Sequence, residues 1–346
     1  MKNTVVLLPS YQPVESLVVL SKALASLDFP VLIVDDGSGE KFKDIFDRCK
    51  EWARVISYPK NKGKGGALKV GYKACLDDYP EQKYVITADG DGQHRIQDII
   101  RIYERINKID ASVIGVRKFD VKVPIKSKLG NGASKFTQAL STYRYMPDNQ
   151  CGLRAFCFKD LDTMIKIKGN RYEYEMNVLT YLHTHEMFFQ CINIETIYEE
   201  GNTTSHFRAV QDTLRIQGSI LLNGLISILI YIAQAVCACL LTSLAFKEIP
   251  YGIEAAILIS FAGGLVLNYL VRVLIYRPKS PFKMMFRMLL YQILLFFALA
   301  ITALVFTRLL DIHLAISYLI SFFLSLVPLY YVIKGVGLVY DSQINE

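Results

Sequence analysis

Residues Tyr84 to His94 read Tyr-Val-Ile-Thr-Ala-Asp-Gly-Asp-Gly-Gln-His, an apolar run that ends abruptly on two acids, Asp89 and Asp91, with one glycine between them. The run has the length and composition of a buried strand, and its glycines turn the chain at the end. On either side, Thr4 to Leu8, Pro30 to Val34 and Ser112 to Val116 have the same form. Amphipathic stretches separate them at Glu15 to Leu27, Glu40 to Ala53, Lys64 to Leu76 and Ile96 to Asn107. This alternation predicts an α/β fold with a mainly parallel sheet covered on both faces. Ligands in such folds collect beyond the carboxyl ends of the strands. Pro9-Ser10-Tyr11, Asp35-Asp36-Gly37-Ser38, Asp89 to His94, and Arg117 each follow a strand, so all are expected at one edge.

Two carboxylates presented together suit a hard divalent cation such as Mg2+ or Mn2+, which prefers oxygen ligands and shares its shell with substrate phosphates. Gln93 adds a carbonyl ligand or orients one of the acids. Bridging a diphosphate, such an ion acts as a Lewis acid on the departing group. Asn61-Lys62-Gly63-Lys64-Gly65-Gly66-Ala67 leads into a helix. Its glycines let backbone N–H groups approach an anion at the positive helix end, and the lysines add charge. The segment lacks the spacing of a P-loop, and no G-x-G-x-x-G follows the first strand, which disfavours a nicotinamide dehydrogenase. His183 and His185 lie two apart on a helix and face different ways, so they make no ligand pair. Glu173 and Glu175 either contact a substrate hydroxyl or form a solvated helix start.

The second part of the chain differs in composition. Of 346 residues 52% are hydrophobic, too many for an ordinary soluble protein, and the excess lies after Arg215. Four runs, about 216–246, 252–271, 288–307 and 312–333, approach or exceed the roughly 20 apolar residues that cross a bilayer. Arg272, Arg277, Lys279, Lys283 and Arg287 lie between the second and third with no acid among them, whereas the other two connections are short and nearly neutral. Lys and Arg beside spans stay in the cytoplasm. Four spans then place both termini and residues 1–215 there. The seven cysteines form no C-x-x-C pair, so neither a disulfide nor a zinc site is expected. The formal charge of +7 is modest and partly juxtamembrane, an argument for lipid headgroups and not for nucleic acid. Ser260-Phe261, Leu265-Val266 and Tyr269 align with Ser321-Phe322, Leu326-Val327 and Tyr330, a weak internal repeat. Asn268 and Gln292 are polar groups at membrane depth and call for partners.

The ordered set Pro9-Ser10-Tyr11, Asp35 to Ser38, Asn61 to Ala67, Asp89 to His94, Arg117 and Gln150-Cys151-Gly152-Leu153-Arg154 resembles family 2 glycosyltransferases. Within them it is most similar to the dolichol-phosphate mannosyltransferase and polyprenyl-phosphate glucosyltransferase branch. The resemblance implies a GT-A, Rossmann-like α/β nucleotide-sugar domain over residues 1–215, with an interfacial segment at about 203–215. An all-α four-span transmembrane domain over 216–346 follows, and it resembles the GtrA-like membrane unit. By the same resemblance Pro9, Tyr11, Glu15 and Asp36 hold the nucleotide, and Asp35, Lys64 and Asp89 complete the donor site. Asp89, Asp91 and Gln93 hold the metal. Arg117 meets the acceptor phosphate, and Lys126, Lys128 and Arg208 are further acceptor contacts. Asp89, Asp91 and Arg117 thus form the expected catalytic set.

The expected reaction moves a sugar from a UDP- or GDP-sugar to a polyprenyl phosphate with inversion. A phosphate monoester is already ionised, its second pKa being about 6, so no dedicated base is required; Asp148 is an alternative base or sugar contact. A processive synthase is disfavoured, because its Q-x-x-R-W motif is absent and the one tryptophan, Trp52, lies elsewhere. The competing function is a lipid-linked-sugar flippase whose soluble domain only binds substrate. Sugar, nucleotide base, lipid length and homo-oligomer formation stay open at this level.

Overall fold

The computed structural model of the chain describes residues 1, 3–117, 125–195, 209–245, 249–310 and 312–342. The first strands are β1 (Thr4–Ser10), β2 (Val31–Asp35), β3 (Arg54–Ser57) and β4 (Tyr84–Thr87). They are joined by helices α1 (Ser16–Ser26), α2 (Lys43–Cys49) and α3 (Lys64–Asp78). Then follow α4 (Ile96–Ile109), β5 (Ser112–Arg117), α5 (Ile125–Thr142), β6 (Arg154–Cys157), α6 (Phe158–Lys166), α7 (Glu173–Thr184) and β7 (Phe189–Ile194). Among the described residues one sheet forms, in the order β3-β2-β1-β4-β6-β5-β7. Every pairing is parallel except those of β6, which runs against both β4 and β5. Strands β3, β6 and β7 have no counterpart among the runs legible in the sequence. Each is short or only partly buried, and β6 is held by the partners around it.

Alternate strand residues point to opposite faces, so each face has its own core. Val6, Leu8, Ile33 and Ile86 pack under α1, α2 and α4, while Val5, Leu7, Leu32 and Val85 pack under α3, α6 and α7. Ile99, Ile102 and Ile106 form one stripe of α4 and are fully buried, each contributing about 1.5–3 kcal/mol. The reversed β6 matters for function. Thr87 pairs with Arg154, so the chain entering β6 arrives at the edge where β4 delivers its acids.

Four long helices follow: α8 (Ala209–Leu240, with a π-helical continuation Leu241–Ala245), α9 (Gly252–Tyr276), α10 (Pro281–Arg308) and α11 (Leu314–Ser342). Each packs on the next, and α11 returns to α8. Gly252–Tyr276, Pro281–Arg308 and Ile316–Val336 are long and apolar enough to cross a membrane. The expected boundary at Arg215 falls inside α8. Arg272 and Arg287, expected in a loop, instead continue α9 and α10 because each finds polar partners there. Aligned positions of the weak repeat have like burial. Ser260, Phe261, Ser321 and Phe322 are buried, while Val266 and Val327 are similarly exposed at 54% and 51%.

Polar contacts join the halves. The Arg272 guanidinium donates to the Ser141 carbonyl at 3.1 Å and to Asn268 at 2.9 Å, and lies over the Tyr143 ring at 5.0 Å. Gln292 donates to the Tyr143 hydroxyl at 2.8 Å. Buried Glu186 is gripped by Arg144 at 2.5 Å and by both terminal nitrogens of Arg287 at 3.0 and 2.8 Å. Gln292 thus finds a partner as expected, whereas Asn268 accepts from Arg272 of its own helix and its amide nitrogen is buried without a partner. Arg308 and Glu254 pair at 2.8 Å, linking the start of α9 to the end of α10. The Lys279 backbone N–H donates to the His185 carbonyl, which sets the α9–α10 connection against the sheet half.

Candidate active site

Asp36, at the end of β2, organises the first wall. Its carboxylate accepts from the Tyr58 hydroxyl (2.7 Å), the Asn61 amide (2.9 Å) and the backbone N–H groups of Lys62 (2.7 Å) and Gly63 (2.8 Å). The glycine-lysine segment therefore does cradle an anion, but that anion is the protein's own carboxylate. A buried acid at a strand end needs donors, and this loop supplies them. Gly63 has φ +91°, a left-handed conformation, and a Cβ there would lie 2.6 Å from the Asn170 carbonyl.

From the next residue Lys64 reaches across the site to Asp89 at 2.7 Å and Glu175 at 2.9 Å. Burial alone would raise the Asp89 carboxyl, but Lys64, with the His94 ring beside it, outweighs burial and holds it well below the usual carboxylate range. The same balance keeps Lys64 charged above the ordinary lysine value. Asp91 behaves oppositely. Burial and the neighbouring Asp89 charge raise it, and its carboxylate accepts from the Gln93 backbone N–H at 3.0 Å. Gly152 presses against this cluster. A Cβ on it would sit 2.5 and 2.8 Å from the Asp89 oxygens and 2.8 Å from the Lys64 nitrogen. Only glycine allows that approach.

Glu173 and Glu175 separate clearly. Glu173 accepts from the backbone N–H groups of Asn170 and Arg171 and so finishes a turn, whereas Glu175 is buried in the site against Lys64. His94 is 5% exposed with neither ring nitrogen hydrogen-bonded, and its Nε2 lies 3.5 Å from Asp89. Nothing in the sequence distinguished Glu175 from Glu173, and His94 was legible only as the end of its motif.

Arg117 closes β5 and forms a two-pronged pair with Asp148, Nε at 2.7 Å and a terminal nitrogen at 3.0 Å. Asp148 also accepts from the backbone N–H groups of Arg117 and Gln150. Burial would raise the Asp148 carboxyl, yet Arg117 holds it below its ordinary value. With its oxygens so engaged, Asp148 orients Arg117 and is poorly placed to act as a base.

The remaining expected residues are placed as follows. Pro9 lies within β1 opposite Val34, and the Tyr11 hydroxyl accepts from Gln12 at 3.2 Å. Asp35 accepts from the Ser38 backbone N–H at 2.9 Å. The Glu15 side chain forms an exposed pair with Arg48, at 2.5 and 2.9 Å, while the next residue, Ser16, donates to the Gly90 carbonyl at 3.3 Å. Lys126 and Lys128 fall in the first turns of α5, their side chains outside the described residues, and Arg208 lies outside them altogether.

The profile of glycosyl transferase family 2 matches residues 5–165. A UDP-N-acetylglucosamine–dolichyl-phosphate N-acetylglucosaminyltransferase of Methanococcus voltae is 30% identical over 192 residues, covering 49% of this chain and 75% of that one. A dolichyl-phosphate beta-glucosyltransferase of Saccharomyces cerevisiae is 29% identical over 138 residues, covering 36% of this chain and 40% of its own. Among solved structures, glucosyl-3-phosphoglycerate synthase from Mycobacterium tuberculosis, in complex with Mn2+, UDP and phosphoglyceric acid, superposes with a TM-score of 0.47 at 14% identity, over 65% of this chain and 78% of that one.

Proposed function

Because the chain belongs to glycosyl transferase family 2, we propose that this glycosyltransferase moves a sugar from a UDP- or GDP-sugar to the phosphate of a polyprenyl lipid, dolichyl or undecaprenyl, in the adjoining bilayer. Relatives named as dolichyl-phosphate sugar transferases support that acceptor. The observation that carries the reading is the position of Arg117 relative to α5 and the long helices. Arg117 is paired with Asp148, a few residues beyond α5, and Ala139 and Tyr143, at the end of α5, belong to the core of the long-helix bundle. An anion held at Arg117 would therefore lie beside the membrane surface.

Asp89, Asp91 and the amide of Gln93 fit Mg2+ or Mn2+ shared with a donor diphosphate. Among the described residues no cluster of three His, Cys, Asp or Glu forms, so an ion held there would have to complete its shell with substrate phosphates. When bound, the ion would supply Lewis-acid stabilisation of charge on the departing nucleotide. Lys64 balances Asp89 and Glu175, and Asp148 holds the Arg117 fork ready for an acceptor phosphate. Such a phosphate needs no general base, in keeping with an Asp148 already engaged. The displacement is read as a single inverting step. Residues 1–215 and both termini are read as cytoplasmic, and 216–346 as a GtrA-like unit in which α8 supplies a fourth crossing.

The test is incubation of the purified full-length protein with polyprenyl phosphate, a panel of radiolabelled UDP- and GDP-sugars, and Mg2+ or Mn2+. A lipid-extractable product of inverted anomeric configuration is expected, and its absence with every donor would reject the reading.

A further inference from the structure

The sheet half exposes few apolar side chains, and one of them lies beside the long helices. Among the described residues up to Glu195, the exposed large apolar side chains are Val14, Val19 and Phe188, and Phe188, at 55%, is the aromatic one. It follows His185-Glu186-Met187 in the turn between α7 and β7.

That turn is fixed, and it is fixed to the bundle. The Met187 N–H donates to the Leu182 carbonyl, and both side chains are buried in one core cluster. In such a helix ending the residue before the donor takes a left-handed backbone and is usually glycine. Here it is Glu186, with φ +54°. Arg144 and Arg287 grip its carboxylate, which accounts for a charged residue where glycine would be unstrained. The Lys279 N–H donates to the His185 carbonyl, and the His185 ring meets Tyr276 edge-on at 6.4 Å. The α7–β7 turn thus abuts the connection between α9 and α10.

With α9 and α10 as spans, that connection lies at the membrane surface, because Gly252–Tyr276 ends just before it and Pro281–Arg308 begins just after. Arg277, Lys279 and Lys283 are exposed there, as are Ile275, Phe282 and Phe286. Aromatic rings at headgroup level and cations that meet anionic lipid are the composition of a membrane interface. A lone exposed ring on an ordinary surface needs no explanation, but Phe188 is held at this level by two ion pairs and a backbone bond.

We propose that Phe188 and the α7–β7 turn form a membrane-interface contact of the sheet half, with the ring set into the headgroup region of the leaflet that receives Lys279 and Lys283. This rests on the reading of the long helices as membrane spans. Phe189 pairs with Ser112 and Ile194 with Arg117, so the turn lies at the opposite end of β5 from Arg117. The contact gives the sheet a hold on the leaflet remote from the acceptor site and restrains its rocking on the bundle.

The test places single tryptophans in the full-length protein in a Trp52→Phe background, Trp52 being the sole native one. Phe188→Trp is compared with Phe297→Trp, exposed near the middle of α10, and with Val19→Trp, exposed on α1 at the other face of the sheet. The nanodiscs contain phosphatidylglycerol and a phosphatidylcholine brominated either high on its acyl chains or near their ends, and iodide is the quencher in water. Phe188→Trp should lose most emission to the shallow bromines, less to the deep ones, and less to iodide than Val19→Trp does. Phe297→Trp should lose most to the deep bromines. Phe188→Trp reached by iodide and by neither lipid, with Phe297→Trp quenched by lipid, would overturn this inference alone. Protection of Phe188→Trp from iodide and both lipids would put protein over the ring and overturn it as well. Phe297→Trp untouched by either lipid would remove the spans and this contact together.

Discussion

Gly152 shows how little room the acid cluster leaves. Its missing side chain is what lets the chain entering β6 lie against Asp89 and Lys64. Gly152→Ala must displace one of them by about an ångström, and such misplacement costs roughly 100-fold in rate; kcat of the purified variant should fall by that order with its melting temperature unchanged. Asp91→Ala should abolish transfer while the protein still inserts in the membrane, as membrane fractionation would verify; normal turnover would reject the metal assignment. Arg117→Ala and Asp148→Asn should both raise KM for the lipid more than for the donor, because the second residue acts through the first. Their double variant should be no worse than Arg117→Ala, and additive effects would separate the two roles. The acids and Arg117 were legible because each ends a strand-like run. That Lys64 bridges Asp89 to Glu175, or that Asp148 serves Arg117, was not, since these partners lie far apart in the chain and meet only through sheet order.

Among the elements, β6 and the α8–α9 pair carry most of what periodicity missed. Strand β6 is four residues long and reversed, so it has no amphipathic run to announce it. Yet its reversal is what brings Gly152 to the acids. In the bundle, Gln234 of α8 lies flat on Gly264 of α9, where a Cβ would stand 1.8 Å from its amide nitrogen. Gly264→Ala should destabilise by about 1–3 kcal/mol through overpacking, read as a lower melting temperature in detergent. Adding Gln234→Ala should recover most of the loss; failure to do so would mean that the helix backbones, and not this side chain, set the spacing. The apolar runs were plain in composition, whereas their ends were not. Arg272 and Arg287 continue the helices because Ser141 and Glu186 receive them, a fact about the neighbouring half.

Taken whole, the molecule is a catalytic sheet seated on a helix bundle through α5, α7 and one buried acid. The Glu186 side chain is 2% exposed and shared by two arginines. Glu186→Ala would leave both guanidinium groups without their carboxylate in a largely dry interface, at a cost of roughly 3 kcal/mol. Thermal unfolding should then begin earlier and separate into two transitions; a single unshifted transition would show that the interface does not depend on it. What the sequence by itself determined was the alternation of strand and helix, the acids and arginine at the strand ends, and the long uncharged runs, all matters of composition and period along the chain. Only the tertiary structure decided which charges meet: Asp36 with its own glycine loop, Lys64 with two acids, and Asp148 with Arg117. Those meetings depend on strand order, helix packing and the desolvation that makes a pairing necessary, and none of these is a property of neighbouring residues.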